Sequence, residues 1–258
     1  MVPANVLSET AVRKTEGYLS EVFVSFQGEG AHVGRRHLFV RFAGCNIRCR
    51  YCDTPGSLER TPSCTIWYPN RRQERANPIS SAELGALIRD FVERDAPIDA
   101  IAFTGGEPLV QADFLATMLA TERVGLPVLL ETNGVLPNKL AEVLPFIDII
   151  SMDVKLPSNA RERPFWDEHA AFLGLAGGKD LYIKVLVDET TDPAEVDRAF
   201  KMVADQQRQA AVFLQPISGP TGGVEVGAGK LAEFYKIGRN HLESVRVLPQ
   251  THKMIGVM

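Results

Sequence analysis

The sequence predicts an α/β fold built on a mostly parallel sheet, of the (β/α) barrel type. Two observations predict it. From about residue 80 onward, near-continuous apolar runs, the mark of strands covered on both faces, alternate with helical patterns. In addition, polar segments bearing Gly or Pro follow one predicted strand after another: TGGEP (104–108), ETNG (131–134), DVKLPS (153–158), QPISGP (215–220) and LPQTHK (248–253). In a barrel these carboxyl-terminal strand ends share one rim, where the active site sits.

In chain order, strands are expected at 18–26, 37–44, 99–105, 127–133, 147–154, 181–188, 211–217 and 244–250. A helix is expected from Ser80 or Ser81, because Ser80 and Glu83 have capping-box spacing ahead of an apolar-periodic run. Further helices are expected near 110–123, 193–209 and 228–240. The stretch 59–78 has three prolines, four arginines and no clean period, so it reads as an inserted loop in a single domain spanning 1–258. The glycine-rich stretch 219–230 fails as a phosphate-binding loop, since Val224 and Leu231 stand where glycine and Ser or Thr are required. It reads as a flexible connection.

A net charge of -4 and a pI near 5.8 leave no basic footprint for phosphate contacts, which argues against direct nucleic-acid binding. Glu9, Arg13, Lys14 and Glu16 interrupt the first residues, so no secretory apolar segment forms there. No later run reaches membrane-spanning length, and a cytoplasmic chain without membrane association is expected.

Cys45, Cys49 and Cys52 are separated by three and two residues, which lets one short loop wrap three corners of a compact inorganic cluster. Iron-sulfur clusters usually take four thiolates, so three leave one iron open. The alternative is a zinc knuckle completed by Cys64 or a histidine. Its second hook is missing, because none of His32, His37, His169, His241 and His252 is paired at ligand spacing. Cys64 reads as a free thiol in the insertion.

This CxxxCxxC arrangement, with Tyr51 before the last cysteine, resembles that of the radical S-adenosylmethionine (SAM) superfamily. The resemblance implies a partial or modified TIM-type barrel and a 4Fe-4S cluster on the three cysteines. The open iron would chelate SAM, and one electron would cleave a C–S bond to a 5'-deoxyadenosyl radical. TGGEP fits the superfamily's Gly-Gly-Glu segment: Gly105 and Gly106 would let backbone approach the cofactor, and Glu107 would accept from its ammonium group.

Longer segments are similar to those of the 7-carboxy-7-deazaguanine synthase family from Ser20 to the C-terminus: SEVFVSFQGEG (20–30), GRRHLFVRFAGCN (34–46), CDT (52–54) and LPQTHKMIGV (248–257), with the rim segments. That family contracts the ring of 6-carboxy-5,6,7,8-tetrahydropterin, with loss of ammonia, on the route to queuosine in tRNA and to other 7-deazapurines. The resemblance places SAM against Tyr51, Gly106, Asp153, Val154, Lys155, Gln215, Pro216, Ile217 and Ser218, and Mg2+ on Thr54. It places the pterin against Phe26, Gln27, Gly28, Glu29, Arg41, Thr104, His252 and Met258. Family members often carry Ser-Pro-Lys where this chain has DVK, so only Lys155 matches there by type.

The Glu29 carboxylate suits an amino-pyrimidine edge, and the Arg41 fork suits a substrate carboxylate. In an alternating strand Arg41 shares a face with Phe39 and Ala43, so it must find a partner. Implied partners are the pterin, an acidic electron donor such as flavodoxin docking on Arg35, Arg36, Arg48 and Arg50, and a second copy in a homodimer. A second reading, the activating enzyme of a glycyl-radical protein, shares the cysteines but predicts neither FQGEG nor QTHK. A non-catalytic zinc or iron-sulfur module is the third.

Overall fold

The structure, a computed structural model, describes residues 15–95, 97–219 and 223–257. Strands β1 (Glu16–Gly17), β2 (Leu19–Phe26), β3 (Arg36–Phe42), β4 (Ser63–Tyr68), β5 (Arg71–Ala76) and β6 (Ile79–Ser80) precede helix α1 (Ser81–Arg94). Then follow β7 (Ala100–Gly105), α2 (Ala112–Glu122), β8 (Val128–Thr132), α3 (Pro137–Val143), β9 (Ile149–Val154), α4 (Pro157–Ala160) and α5 (Trp166–Leu175). The chain ends with β10 (Asp180–Val187), α6 (Pro193–Gln207), β11 (Ala211–Pro216), α7 (Ala228–Arg239), β12 (Val245–Val247) and α8 (Thr251–Ile255).

One ten-stranded sheet runs in the order β12-β11-β10-β9-β8-β7-β3-β2-β4-β5. Every neighbouring pair from β3 to β12 is parallel, while β2 runs antiparallel to β3 and β5 to β4. The edges β12 and β5 do not pair with each other, so the expected barrel is open.

Strand periodicity divides the sheet's side chains between two cores. One set, including Val22, Val40, Phe103, Leu130, Met152, Val185 and Leu214, packs into a large cluster with helix residues such as Phe91, Phe114, Phe172 and Phe200. The other set, Phe23, Phe39, Ala102, Leu129, Ile149, Tyr182 and Phe213, meets on the inner face. Register aligns Phe39 with Ala102, Ala102 with Leu129, and Leu129 with Ile149, making one apolar floor. Full burial of each large side chain contributes about 1.5–3 kcal/mol. Two residues further along the strands the same face carries Arg41, Thr104, Glu131, Lys184 and Gln215. The floor therefore supports a polar layer at the carboxyl ends.

The inserted loop expected at 59–78 is instead a hairpin, β4 and β5, that extends the sheet beyond β2. Its strands escape a hydropathy reading because the hairpin is an edge: Cys64 and Ile66 turn inward while β5 is polar and mostly exposed. Cys64 is free, as expected, but only 1% exposed and part of the outer core. Asn77 ties the hairpin to β2, donating to Leu19 O at 2.8 Å and Thr61 O at 3.0 Å and accepting from Leu19 N at 3.1 Å. Helices α3, α4, α5 and α8 were not expected; at seven, four and five residues α3, α4 and α8 are too short to display a helical period, and ten-residue α5 has no polar–apolar division that marks a face. The connection expected at 219–230 lies partly outside the described residues; on its flanks Ser218 and Val224 form an antiparallel bridge.

The capping box at α1 is present. Ser80 Oγ accepts from Glu83 N at 3.2 Å, and Glu83 Oε2 accepts from Ser80 N at 2.9 Å. Ser80→Ala should therefore destabilise the chain by ~1 kcal/mol, lowering the thermal-unfolding midpoint by ~2–4 °C while leaving the rim chemistry intact.

A candidate active site at the carboxyl ends of the strands

Residues 42–58 leave β3 and fold over the rim, where backbone contacts fix them. Gly44 N donates to Ser57 O at 2.8 Å, Cys45 N to Leu58 O at 3.1 Å and Glu107 N to Gly44 O at 2.9 Å. Gly105 takes φ +139°, and a Cβ on Gly106 would lie 2.4 Å from Gly44 O and 2.6 Å from Ser57 O. Only glycine permits that approach. Cys45, Cys49 and Cys52 are free, half-buried and line one cleft, beside an apolar cushion of Ile47, Val135 and Phe165. Burial pushes the Cys45 and Cys49 thiols up, and a bound metal-bearing group would stabilise them as thiolates.

Glu107, 1% exposed, turns its carboxylate into the protein. It accepts from Leu109 N at 3.0 Å, Thr132 Oγ1 at 2.8 Å and Asn133 N at 2.7 Å. Burial pushes its carboxyl up to about 7 against those donors. The expected side-chain acceptor for a ligand's ammonium is thus engaged in joining two rim turns. Asn133 carries the connection on, donating to Asn46 Oδ1 at 2.9 Å in the cysteine loop.

Deeper in the cleft lies a chain of alternating charges. Lys184 Nζ pairs with Glu29 Oε2 and, at 3.0 Å, with Asp153 Oδ1. Asp153 Oδ2 pairs with Lys155 Nζ at 2.8 Å, and that ammonium lies 5.5 Å from the Tyr51 ring centroid. Burial alone would raise the Glu29 carboxyl, but Lys184 outweighs it and holds the group below its ordinary value. Glu29 Oε1 also accepts from Gln215 Nε2 at 3.0 Å and Gln250 Nε2 at 2.6 Å. Gln250 reaches on to Asp53 Oδ2 at 2.9 Å, which Lys253 approaches to 3.0 Å. Partial desolvation pushes the exposed Asp53 carboxyl up, yet Lys253 and Gln250 prevail and hold it at about 2. Single ligand atoms of Glu29, Asp53 and His252 lie within 4.8 Å of one another, but both carboxylates already have cation or amide partners.

The α8 segment closes this side. Thr251 N and Oγ1 donate to Gly28 O at 3.0 and 3.1 Å, and a Cβ on Gly28 would fall 2.0 Å from His252 Nδ1. Burial lowers the His252 pKa, so the ring faces the cleft neutral.

The cleft opens to solvent, and its empty space, the mouth included, is about 1410 Å³. It is lined by the cysteines, Tyr51, Thr54, Gly105, Gly106, Glu107, Asp153, Lys155, Gln215, Ile217 and Ser218, and by Phe26, Gln27, Gly28, Glu29, Arg41, Thr104 and His252. Val154 instead packs in the outer core, as alternation demands of a residue between Asp153 and Lys155. Pro216 is not among the lining residues, and Met258 lies outside the described residues.

Arg41 has its partner: Nε donates to Glu21 Oε1 at 2.8 Å, while Trp67 Nε1 holds Glu21 Oε2 at 3.0 Å. The arginines expected to form a docking surface are largely engaged. Arg36 pairs with Asp95 at 2.7 Å and Arg48 with Glu59, while Arg50 pairs with buried Asp188 and so anchors the cysteine loop to β10. Reading the sequence missed Asp53, Glu131, Lys184, Gln250 and Lys253. Glu131 accepts from Thr104 Oγ1 at 2.7 Å and Gln27 Nε2 at 2.8 Å. For Lys184 and Glu131 the signal was a lone charged residue in an otherwise apolar strand, LYIKVLV and VLLET; Asp53, Gln250 and Lys253 lie outside the strands and had no such signal.

Three thiols on one opening that Gly105 and Gly106 also line, with a buried Gln215 Oε1 that has no partner among the described residues, fit an iron-sulfur cluster with an organic cofactor beside it. Comparison with known proteins gives the same direction. Residues 39–206 match the model of the radical SAM superfamily. A protein of Geobacter sulfurreducens named 7-carboxy-7-deazaguanine synthase is 39% identical over 242 residues, covering 92% of this chain and 96% of its own. One of the same name from Archaeoglobus fulgidus is 32% identical, over 93% and 98%. The crystal structure of QueE from Escherichia coli shares the fold with a TM-score of 0.57 at 20% identity, covering 92% of this chain and 95% of that one.

Anaerobic reconstitution should load about four irons per chain, with a broad brown absorbance, in the wild type and in Cys64→Ala. Cys49→Ala should lose both; an iron-depleted Cys64→Ala chain would refute the ligand assignment.

Proposed function

Because the chain belongs to the radical SAM superfamily and, within it, to the 7-carboxy-7-deazaguanine synthases, we propose that its cleft contracts the ring of 6-carboxy-5,6,7,8-tetrahydropterin to 7-carboxy-7-deazaguanine with loss of ammonia. The observation that carries this reading is geometric: three free thiols and a partly buried Glu29 carboxylate paired with Lys184 line one cleft. The family relationship also favours a small-molecule substrate over the protein backbone that a glycyl-radical activating enzyme would attack.

When bound, the cluster supplies one electron and SAM the source of a 5'-deoxyadenosyl radical. Cys45, Cys49 and Cys52 would hold the cluster, and the Gly105–Gly106 backbone, Asp153, Lys155, Gln215, Ile217 and Ser218 would hold SAM beside it. The pterin would lie over the polar layer. Glu29 would accept from its amino-pyrimidine edge, Gln27 and Thr104 would bracket it, and the Arg41 nitrogens other than Nε would face its carboxylate. Thr54 would anchor Mg2+, completed by water and substrate oxygens; its carbonyl accepts from Ser57, and its hydroxyl lies 4.0 Å from Cys52 Sγ. The floor of Phe23, Phe39 and Tyr182 excludes water from beneath, and the chain's main contribution is position.

An external one-electron donor such as flavodoxin would approach the exposed face of the cysteine loop, and the working unit would be a homodimer in the cytoplasm. No helix among the described residues is long and apolar enough to cross a membrane.

Reduced, reconstituted protein given SAM, Mg2+ and carboxytetrahydropterin should yield the deazaguanine by mass spectrometry. Formation of 5'-deoxyadenosine with the pterin untouched would overturn the substrate assignment. Gly28→Ala, which displaces His252, should raise KM for the pterin by about tenfold or more with a smaller effect on kcat.

A further inference from the structure

We propose that Lys184 is a positioning and specificity-determining residue: its buried ammonium, shared between Glu29 and Asp153, keeps the Glu29 carboxylate an aimed acceptor for the substrate's donor edge. The inference rests on the reading of Glu29 given above. Lys184 lies on β10 directly above Tyr182 of the apolar floor and is 4% exposed. Its neighbours in register are Asp153 on β9 and Phe213 on β11. A lysine enclosed in this way is costly unless paired, and here two carboxylates meet it.

The arrangement is asymmetric, and the asymmetry indicates what the lysine does. Asp153 has a second cation in Lys155, whereas Lys184 is the cation paired with Glu29; its other donors are the neutral amides of Gln215 and Gln250. The other titratable groups on the elements around Glu29 include Glu131 on β8, Asp153 on β9, Tyr182 on β10, Asp53 in the cysteine loop, and His252 and Lys253 on α8, the last paired with Asp53. Asp153 and Asp53 are anions that disfavour a charged Glu29, and a neutral His252 cannot offset them. Without Lys184, desolvation and like charge would act together against only the neutral donors of Gln215 and Gln250, and the carboxyl is expected to take up a proton.

Chemistry then sets the specificity. An ionised carboxylate accepts from adjacent amino and ring N–H groups, as on a pterin edge, and repels ring acceptors in the same place. A protonated carboxyl presents one donor to that edge and loses the discrimination. The same ammonium holds the Glu29 side of the cleft at a fixed separation from Asp153, beside the proposed SAM position.

The test uses reconstituted holoenzyme with SAM and, as probe, 6-carboxypterin, whose fluorescence reports binding at neutral pH. Lys184→Met should weaken binding by about tenfold or more, as should Glu29→Gln. Difference infrared spectra of Lys184→Met against wild type should show a protonated carboxylic-acid band that vanishes in Lys184→Met/Glu29→Gln; a merely structural lysine would not produce it. Wild-type affinity in Lys184→Met without that band would overturn the proposal. Wild-type affinity in Glu29→Gln would instead refute the role of Glu29, while the infrared band would still report whether Lys184 governs its charge. If Lys184→Met alone does not fold, folding of the double variant supports charge compensation, and failure of both counts against it.

Discussion

A charge taken out of water must be met by an opposite charge or by several well-aimed donors, and the inner face of this sheet satisfies that demand from within the chain. The alternation Glu29, Lys184, Asp153, Lys155 runs unbroken along the cleft, with amides of Gln215 and Gln250 completing Glu29. Such a set is stable only where its members cannot drift, and the apolar floor of Phe23, Phe39, Leu129, Ile149, Tyr182 and Phe213 provides that rigidity. Strand periodicity makes floor and polar layer two consequences of one pattern, since residues two positions apart share a face.

The outer architecture follows similar logic at the rim. Three turns after different strands are bound together by one buried carboxylate, Glu107, and by the short backbone contacts between Gly44 and the Gly105–Glu107 turn. The cysteine loop is therefore held in place by contacts with atoms of its own chain. Arg50 does the same on the opposite side, through Asp188 and the carbonyl of Asn159 at 3.2 Å.

Much of this was legible in the sequence. The parallel strands were, because burial on both faces leaves continuous apolar runs, and the cysteine, FQGEG and QTHK segments were, because their chemistry is local. The β4–β5 hairpin was not: an edge hairpin can be polar along most of its length, so hydropathy does not mark it. Lys184 was not, because a lone lysine inside LYIKVLV looks like a tolerated exception until its register neighbour Asp153 is known. Glu107 was identified, but its partners at Thr132 and Asn133 are non-local, and the direction of its carboxylate depends on them. Arg41 shows the reverse case: the need for a partner was readable from alternation, the identity of Glu21 was not.

The closure by α8 has a consequence for the order in which the molecule assembles. Cys45, Cys49 and Cys52 sit within eight residues and belong to one loop, so bringing them together closes only short stretches of chain. Gln250 joins Asp53 and Glu29 across 197 and 221 positions of chain, contacts that form only when the whole sheet has wound past β12. A partly folded chain thus has the means to gather iron locally but not the enclosure that confines a reactive species. Confinement arrives last, as a property of the completed topology.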